Sequence, residues 1–253
     1  MVRRDRRRLL AGLGAALLGG CTAGPREIVE GGRRAPAEGG IGGTGIVGVV
    51  TALGSIRVNG LEVALPDAVE IADALGPRPR AALRPGVSVT VEAAGPLGAL
   101  EARRVRIDHP LIGRVERLAR DGREMRVLGV AVRLEPGVNA PVEKGDRVAV
   151  SGLWRRGAVV ASRIDRLGAD GPSAVAGEIG TARGRPAVGG VPLVRAGGVE
   201  APEPGSFATA VGEAREGLLI LRRLEPGRFT GAAGPLARLS VEGYLEPVPR
   251  APG

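Results

Sequence analysis

The stretch Val127-Leu128-Gly129-Val130 predicts a tight β-hairpin, because a glycine lies in the turn between apolar strand residues. Glycine adopts a positive φ without steric cost, and two-residue hairpin turns need that conformation. The same pattern occurs as Val58-Asn59-Gly60-Leu61 and as Val188-Gly189-Gly190-Val191. Three hairpins of one type in a chain of 253 residues indicate an internal repeat.

The repeat extends on both sides of the hairpin. Before it, a glycine lies between apolar residues at spacings of 65 and 64 residues, at Gly48, Gly113 and Gly177. After it, a turn glycine opens an alternating strand, and an apolar strand residue follows 19 positions later. These pairs are Gly86 and Val105, Gly145 and Ile164, and Gly205 and Leu224. The shared spacing predicts three copies of one structural unit.

Each unit has about the size of a small β-barrel of the oligonucleotide/oligosaccharide-binding (OB) type. Aromatic residues make up 2% of the chain and glycine occupies 43 positions, which favours short strands and many turns. We predict an all-β fold of three tandem OB-like barrel units at 45–110, 111–171 and 172–229. A C-terminal strand or partial unit with a tail is expected at 230–253, and a short helix at 68–75.

The first 20 residues have the order of a secretory signal: five arginines, an apolar run of about ten residues, and small residues. That run is too short to cross a bilayer, which needs about 20 helical residues. Leu18-Gly19-Gly20-Cys21 resembles the bacterial lipobox, which implies cleavage before Cys21 and lipidation of its sulfur. Arg6 and Arg7 belong to a segment that resembles the twin-arginine export motif. Leu9 stands where an aromatic is usual, so the general secretory route stays open.

Residues 21–44 contain few large apolar side chains and predict a flexible tether behind the lipid. We therefore expect a lipid-anchored protein of the cell envelope that faces the periplasm. Thr22 stands where an aspartate would favour retention in the inner membrane, so the outer membrane is favoured. Cys21 is the one cysteine, which leaves the mature part without a disulfide or zinc-binding thiol. Removal of residues 1–20, with five arginines and one aspartate, leaves a formal net charge of +5 from +9.

Three segments resemble domain of unknown function 5666. They are Gly40-Ile41-Gly42-Gly43-Thr44-Gly45, Gly54-Ser55-Ile56-Arg57-Val58-Asn59-Gly60 and Gly145-Asp146-Arg147-Val148-Ala149-Val150-Ser151-Gly152. The resemblance covers roughly residues 40–167 and is weaker in the third unit, where Ser206-Phe207 replaces the Gly-Asp-x-Val pattern. It implies repeated small β domains in an exported bacterial protein and supplies no catalytic residue.

Catalysis by acid–base or nucleophilic chemistry recruits His, Cys or paired carboxylates. His109 is the one histidine, at the junction of units one and two, and we expect a backbone hydrogen bond to hold it. Asp108, Asp146 and Asp165 adjoin arginines, so charge pairing across strands explains them. We predict no catalytic residue and no metal site. The alternative is an envelope enzyme, or a subunit of one, that uses carboxylates brought together between units.

Gly40-x-Gly42-x-x-Gly45 matches the dinucleotide fingerprint in form. A strand is expected after it, whereas the fingerprint needs a helix there. We therefore predict no cofactor.

Trp154-Arg155-Arg156 is the one place where an aromatic and two cations coincide, on a turn after a strand. We predict it as the candidate contact surface, with covering of a barrel end as the alternative role of Trp154. The other aromatics lie in different segments, so no nucleic-acid binding by stacking is expected. The predicted function is non-enzymatic: a membrane-anchored binding or adaptor module for a protein, a glycan or another anionic envelope component. Packing within an envelope complex is a third possibility.

Overall fold

The computed structural model describes residues 42–195 and 203–245. Cys21, Arg6, Arg7 and most of the predicted tether lie outside the described residues. The described part consists of β-strands and one short 3-10 turn (Arg80–Ala82), which confirms the all-β class. None of its helical structure is long and apolar enough to cross a membrane.

The first barrel has seven strands: β1 (Gly43–Ala52), β2 (Ile56–Val58), β3 (Leu61–Ala64), β4 (Glu70–Asp73), β5 (Gly76–Pro77), β6 (Ser88–Ala94) and β7 (Leu100–Ile107). Five of them form a closed ring in the order β1-β2-β3-β7-β6, in which β3 and β7 are parallel. β4 pairs in parallel with residues 104–106 of β7, beyond the part of β7 that pairs with β3. Side chains of period two, such as Val87, Val89 and Val91, fill the core of this barrel.

The second barrel repeats that ring with β8 (Leu111–Leu118), β9 (Glu124–Val127), β10 (Val130–Leu134), β11 (Arg147–Arg155) and β12 (Ala158–Arg166). The third set consists of β13 (Ser173–Ala182), β14 (Arg185–Val188), β15 (Val191–Arg195), β16 (Phe207–Arg215) and β17 (Leu218–Pro226). Its strands pair in the same order, and residues 196–202 between β15 and β16 lie outside the described part. β8 also pairs with β13 and so joins the two sets.

The three predicted hairpins are confirmed. Their turns are Asn59-Gly60, Leu128-Gly129 and Gly189-Gly190, and all six residues have φ between 51° and 76°. In each set the first-strand glycine lies against this turn. A Cβ on Gly113 would lie 3.0 Å from Leu128 Cγ, and one on Gly177 would lie 2.9 Å from Gly189 Cα. The glycine that precedes each hairpin in sequence therefore makes room for the hairpin itself.

The C-terminal segment returns to the first barrel, where β18 (Leu236–Val241) pairs in parallel with β1. Buried Glu92 accepts hydrogen bonds from the backbone N (2.8 Å) and Oγ1 (2.7 Å) of Thr230 and from Ala232 N (2.8 Å). Burial raises the pKa of the Glu92 carboxyl, but these donors outweigh burial and leave the pKa below its ordinary value. A Cβ on Gly45 would lie 2.8 Å from the Phe229 ring. The glycines at the start of β1 thus accommodate the C-terminal segment.

The predicted helix at 68–75 is wrong, because this segment forms the β4–β5 hairpin. Asp73 accepts hydrogen bonds from Leu75 N (2.7 Å) and Arg78 Nε (2.6 Å), and these stabilise the turn. Asp side chains compete in this way with helical hydrogen bonds. The pairing of β4 with β7 satisfies the backbone groups that a helix would have satisfied internally.

A small apolar cluster connects all three sets: Ala74, Ile112, Ala149, Ala174 and Val211. Polar contacts also connect the sets. Arg223 donates to the Ala74 carbonyl (2.5 Å), and the Gly152 N–H donates to Ser88 Oγ (2.6 Å). The sets are therefore packed together through side chains from each of them.

Replacement of Gly152 by alanine is expected to destabilise the chain by about 3 kcal/mol. Gly152 has a φ of 151° at a bulge in β11, and a Cβ there would overlap the Val160 carbonyl oxygen and lie 2.8 Å from Ala161 Cα. The control is Gly168→Ala, since a Cβ at Gly168 meets nothing within 4 Å. Urea denaturation measures both free energies of unfolding. Equal stability of the two variants would contradict this account of the bulge.

Candidate functional site

The predicted contact surface lies on the hairpin between β11 and β12. Arg155 pairs with Ala158, so the turn contains two residues, Arg156 (φ 50°) and Gly157 (φ 71°). This conformation matches the right-handed twist of the strands. Arg155 and Arg156 are exposed, and Trp154 is half-buried one position earlier.

Trp154 packs the second barrel against the third set. Its indole Nε1 donates a hydrogen bond to the Ala176 carbonyl (2.9 Å). A Cβ on Gly189 would lie 2.5 Å from Trp154 Cζ2, so the glycine in this turn provides space for the indole. Trp154 therefore has the structural role of covering a neighbouring hairpin and also forms part of an open surface.

A groove of about 640 Å³ runs between this hairpin, the third set and the C-terminal segment. We call it the Trp154 groove. Its larger side chains are Trp154, Arg155, Arg156, Glu178, Ile179, Phe207, Arg228 and Tyr244. Its other lining residues include Gly177, Gly180, Gly189, Gly190 and Gly205, which leave backbone accessible along much of its length.

The groove brings together three of the four aromatic residues of the whole chain: Trp154, Phe207 and Tyr244. In the sequence these residues are scattered over different segments. They come from β11, the start of β16 and the segment after β18, and only the packing of the three parts places them together. No local pattern in the sequence marks Phe207, Arg228 or Tyr244 as members of one site.

Two arginines lie over aromatic rings in the groove. The Arg228 guanidinium carbon is 3.5 Å from the centroid of the Phe207 ring, and that of Arg155 is 4.9 Å from the centroid of Tyr244. Such cation–π contacts contribute about 0.5–2 kcal/mol each, depending on desolvation. The stacked rings restrict the orientations that both guanidinium groups can adopt.

A buried carboxylate behind the groove is shared by two cations. Asp108, with its side chain 8% exposed, contacts Arg106 Nε (2.7 Å) and Arg228 Nη1 (3.2 Å), and it also accepts a hydrogen bond from Thr90 Oγ1. Arg106 Nη2 is buried without a hydrogen-bond partner among the described residues. Burial lowers the pKa of the Arg228 guanidinium, although Asp108 opposes this effect. The cluster therefore has an excess of positive charge in a partly desolvated place.

The other two candidate carboxylates also lie beside arginines. Asp146 contacts Arg166 Nη2 (2.6 Å), and Asp165 contacts Arg163 Nε (3.0 Å) and Arg84 Nη2 (3.0 Å). Each carboxylate is thus paired with arginine, but the predicted pairing across two strands is wrong for them: Arg163 and Asp165 lie on one strand, and Asp146 and Arg84 lie outside the strands. Within residues 42–195 and 203–245, no group of three or more His, Cys, Asp or Glu side chains could hold a metal ion.

His109 lies where the first two barrels meet, with its side chain 9% exposed. Its Nδ1 is 3.3 Å from Ser151 Oγ, and its Nε2 is 3.8 Å from Asp73 Oδ2. Side chains therefore hold it, and the predicted backbone hydrogen bond is wrong for the described residues. Ser151 is only 1% exposed, and none of these three residues lines the Trp154 groove.

Residues 112–165 match the family model of a domain of unknown function (DUF5666). This match spans almost the whole second barrel, from β8 to β12. It confirms the resemblance to this family for these residues. No curated protein and no solved structure matches the chain.

Acidification is expected to weaken the contact between the barrels through His109. Burial lowers the pKa of His109 below its ordinary 6.5, and this effect outweighs the attraction of Asp73, Asp165 and Asp108. The folded state therefore favours neutral His109, and its contribution to stability is complete above about pH 6.5 and falls as the pH decreases towards the folded-state pKa. Urea denaturation from pH 7.5 to 5 should show this loss.

The control for this titration is His109→Gln, which keeps a polar side chain and removes the only histidine. Its stability should change less than that of the native chain between pH 6.5 and 5. The same slope in both proteins would assign the acid sensitivity to carboxylates.

Proposed function

We propose that this protein is a non-enzymatic, lipid-anchored binding module of the bacterial cell envelope, and that the Trp154 groove is its contact surface for an anionic envelope component. The observation that carries this proposal is the convergence of three aromatic and three arginine side chains in one groove. Aromatic residues and arginine are enriched where proteins bind partners.

The electrostatics of the groove support an anionic partner. Arg155, Arg156 and Arg228 line it, against one carboxylate from Glu178. Asp108 offsets only part of the charge of Arg228, since Arg106 shares it. Attraction of this kind accelerates association with an acidic partner more than it raises affinity, and it weakens with ionic strength.

The proposed location rests on the amino terminus. The signal-like residues 1–20 and the lipobox-like sequence before Cys21 support export and lipidation. Two or more acyl chains would hold the protein stably on a membrane. The glycine-rich segment after Cys21 would then separate the barrels from the membrane surface and let the groove reach components of the periplasm. Thr22 favours the outer membrane over the inner one.

Photo-crosslinking in cells tests the groove as the contact surface. A benzoylphenylalanine at Thr181, an exposed groove residue, should give a defined set of crosslinked products. The same probe at Thr51, an exposed strand residue of the first barrel, is the matched control and should not give them. Mass spectrometry identifies the products. Equal crosslinking from both positions, or none from Thr181, would count against the groove.

Lipidation is tested separately with an alkyne fatty acid supplied to the growing cells. The native chain should incorporate the label and fractionate with membranes. Cys21→Ala should lose the label completely, because no other cysteine is present. Retention of the label by Cys21→Ala would refute the predicted lipid site.

A further inference from the structure

We propose that the Trp154 groove binds an acidic glycan, and that Arg155 and Arg228 contact the carboxylates on its sugars. This inference rests on the proposed function and specifies the chemical class of the ligand. The inference is based on the contacts of the two arginines with aromatic rings, on the charge behind the groove, and on the pairing of the strands beside it.

Arg155 and Arg228 are both held by aromatic rings. A guanidinium is planar, and its five N–H donors lie in that plane. The guanidinium carbons of Arg228 and Arg155 lie 3.5 Å and 4.9 Å from the ring centroids of Phe207 and Tyr244, so each ring restrains one guanidinium group. Arg228 also donates through Nη1 to Asp108 (3.2 Å). Edge donors in a fixed fork match a carboxylate in a bidentate way. Contact with the rings thus restrains both arginines at the groove, where they can bind planar oxyanions.

The charge behind the groove favours an anionic ligand. Arg106 and Arg228 share Asp108, and both are largely buried, with side chains 13% and 29% exposed. A buried cation with incomplete compensation is costly, and a ligand anion at Arg228 would offset that cost. A neutral ligand would leave the excess charge as it is. The cluster therefore favours anionic ligands over neutral ones.

The aromatic rings of the groove favour a glycan over a single-stranded nucleic acid. Proteins hold single-stranded nucleic acids by stacking bases on free aromatic faces. Here Arg228 and Arg106 both lie over the Phe207 ring. Arg155 lies over the Tyr244 ring, and Trp154 packs against the Gly189 turn. The groove therefore presents arginine N–H donors that can bind oxyanions. Recognition of bases would instead need aromatic rings with uncovered faces.

The pairing of the strands beside the groove favours a glycan over an extended peptide. A peptide commonly docks by adding a strand to a free sheet edge. β13 pairs with β16 over residues 173–178 and with β14 over residues 179–182, and β14 pairs with β15 at Ala187 and Val188. Unpaired backbone beside the groove is therefore limited to a few residues at the ends of these strands. Its volume of about 640 Å³ and its glycine-lined surface suit a chain of bulky rings. Small barrels of the OB type bind oligosaccharides as well as oligonucleotides.

The test is calorimetric titration of the full-length chain with hexagalacturonate, and with the same hexamer after methyl esterification of its carboxylates. Both probes have the same sugar rings, and only the first is anionic. The native chain should bind the acid at least tenfold more tightly than the ester. Arg155→Gln should weaken binding of the acid by about tenfold or more, the size expected for a hydrogen-bonded ion pair. Arg57→Gln, at an exposed arginine of the first barrel, should leave it unchanged.

Arg155 is exposed, so its substitution should not affect folding, and circular dichroism with thermal unfolding verifies this. Arg228→Lys is a second variant, which keeps the charge and removes the bidentate fork, and it should also weaken binding of the acid. Equal affinity for acid and ester, or no binding of either, would overturn the inference. Hexaglutamate is the third probe, and binding as tight as that of the acidic hexamer would overturn the glycan in favour of an acidic peptide. Crosslinking from Thr181 to a partner in cells would still support the proposed function in each of these cases.

Discussion

The contact between the first-strand glycine and the turn of the following hairpin determines how each five-strand set is built. The turn lies over the first strand only because the glycine has no side chain. What then packs at this place depends on the first turn residue. Asn59 donates to Val47 O (3.0 Å) and to Ser240 Oγ (3.2 Å), and so helps to hold the returning C-terminal strand. Leu128 packs its side chain into the apolar cluster that the second barrel shares with the third set, and Gly189 leaves space for Trp154. One repeated contact is therefore combined with different packing in each set.

This variation explains why the groove occurs at one place in a repetitive structure. Only the third set has a glycine, Gly189, at the first position of its repeated hairpin turn. Only the second barrel has a tryptophan, Trp154, near the end of its fourth strand in chain order, which is β11. Insertion of that indole fixes the β11–β12 hairpin beside the third set and leaves Arg155 and Arg156 at the rim. The C-terminal segment, held on the first barrel by Glu92 and Asn59, then supplies Tyr244. Small differences between copies thus produce a unique surface.

The sequence was sufficient for the features that depend on local conformation. Positive φ at turn glycines and alternating apolar residues predicted the hairpins and the all-β class. It was insufficient where a longer-range partner decides the outcome. Residues 68–75 were predicted as a helix, but β7 and the side chain of Asp73 stabilise a hairpin there. The contact surface at Trp154 could be proposed because an aromatic and two cations are adjacent. Phe207, Arg228 and Tyr244 could not, since their proximity depends on the packing of separate sets.

The parts of the molecule meet through charged and polar groups as much as through apolar ones. His109, Asp73 and Ser151 lie between the first two barrels, and Asp108 connects Arg106 of the first barrel to Arg228 after the third set. Ile112 and four smaller side chains from the three sets fill the centre between them. Buried ion pairs add little net stability, but they restrict the orientations in which all donors and acceptors are satisfied. Arg228 belongs to both this network and the groove. The network that fixes the relative positions of the sets therefore also fixes a ligand-facing cation, so that binding needs little rearrangement of the groove.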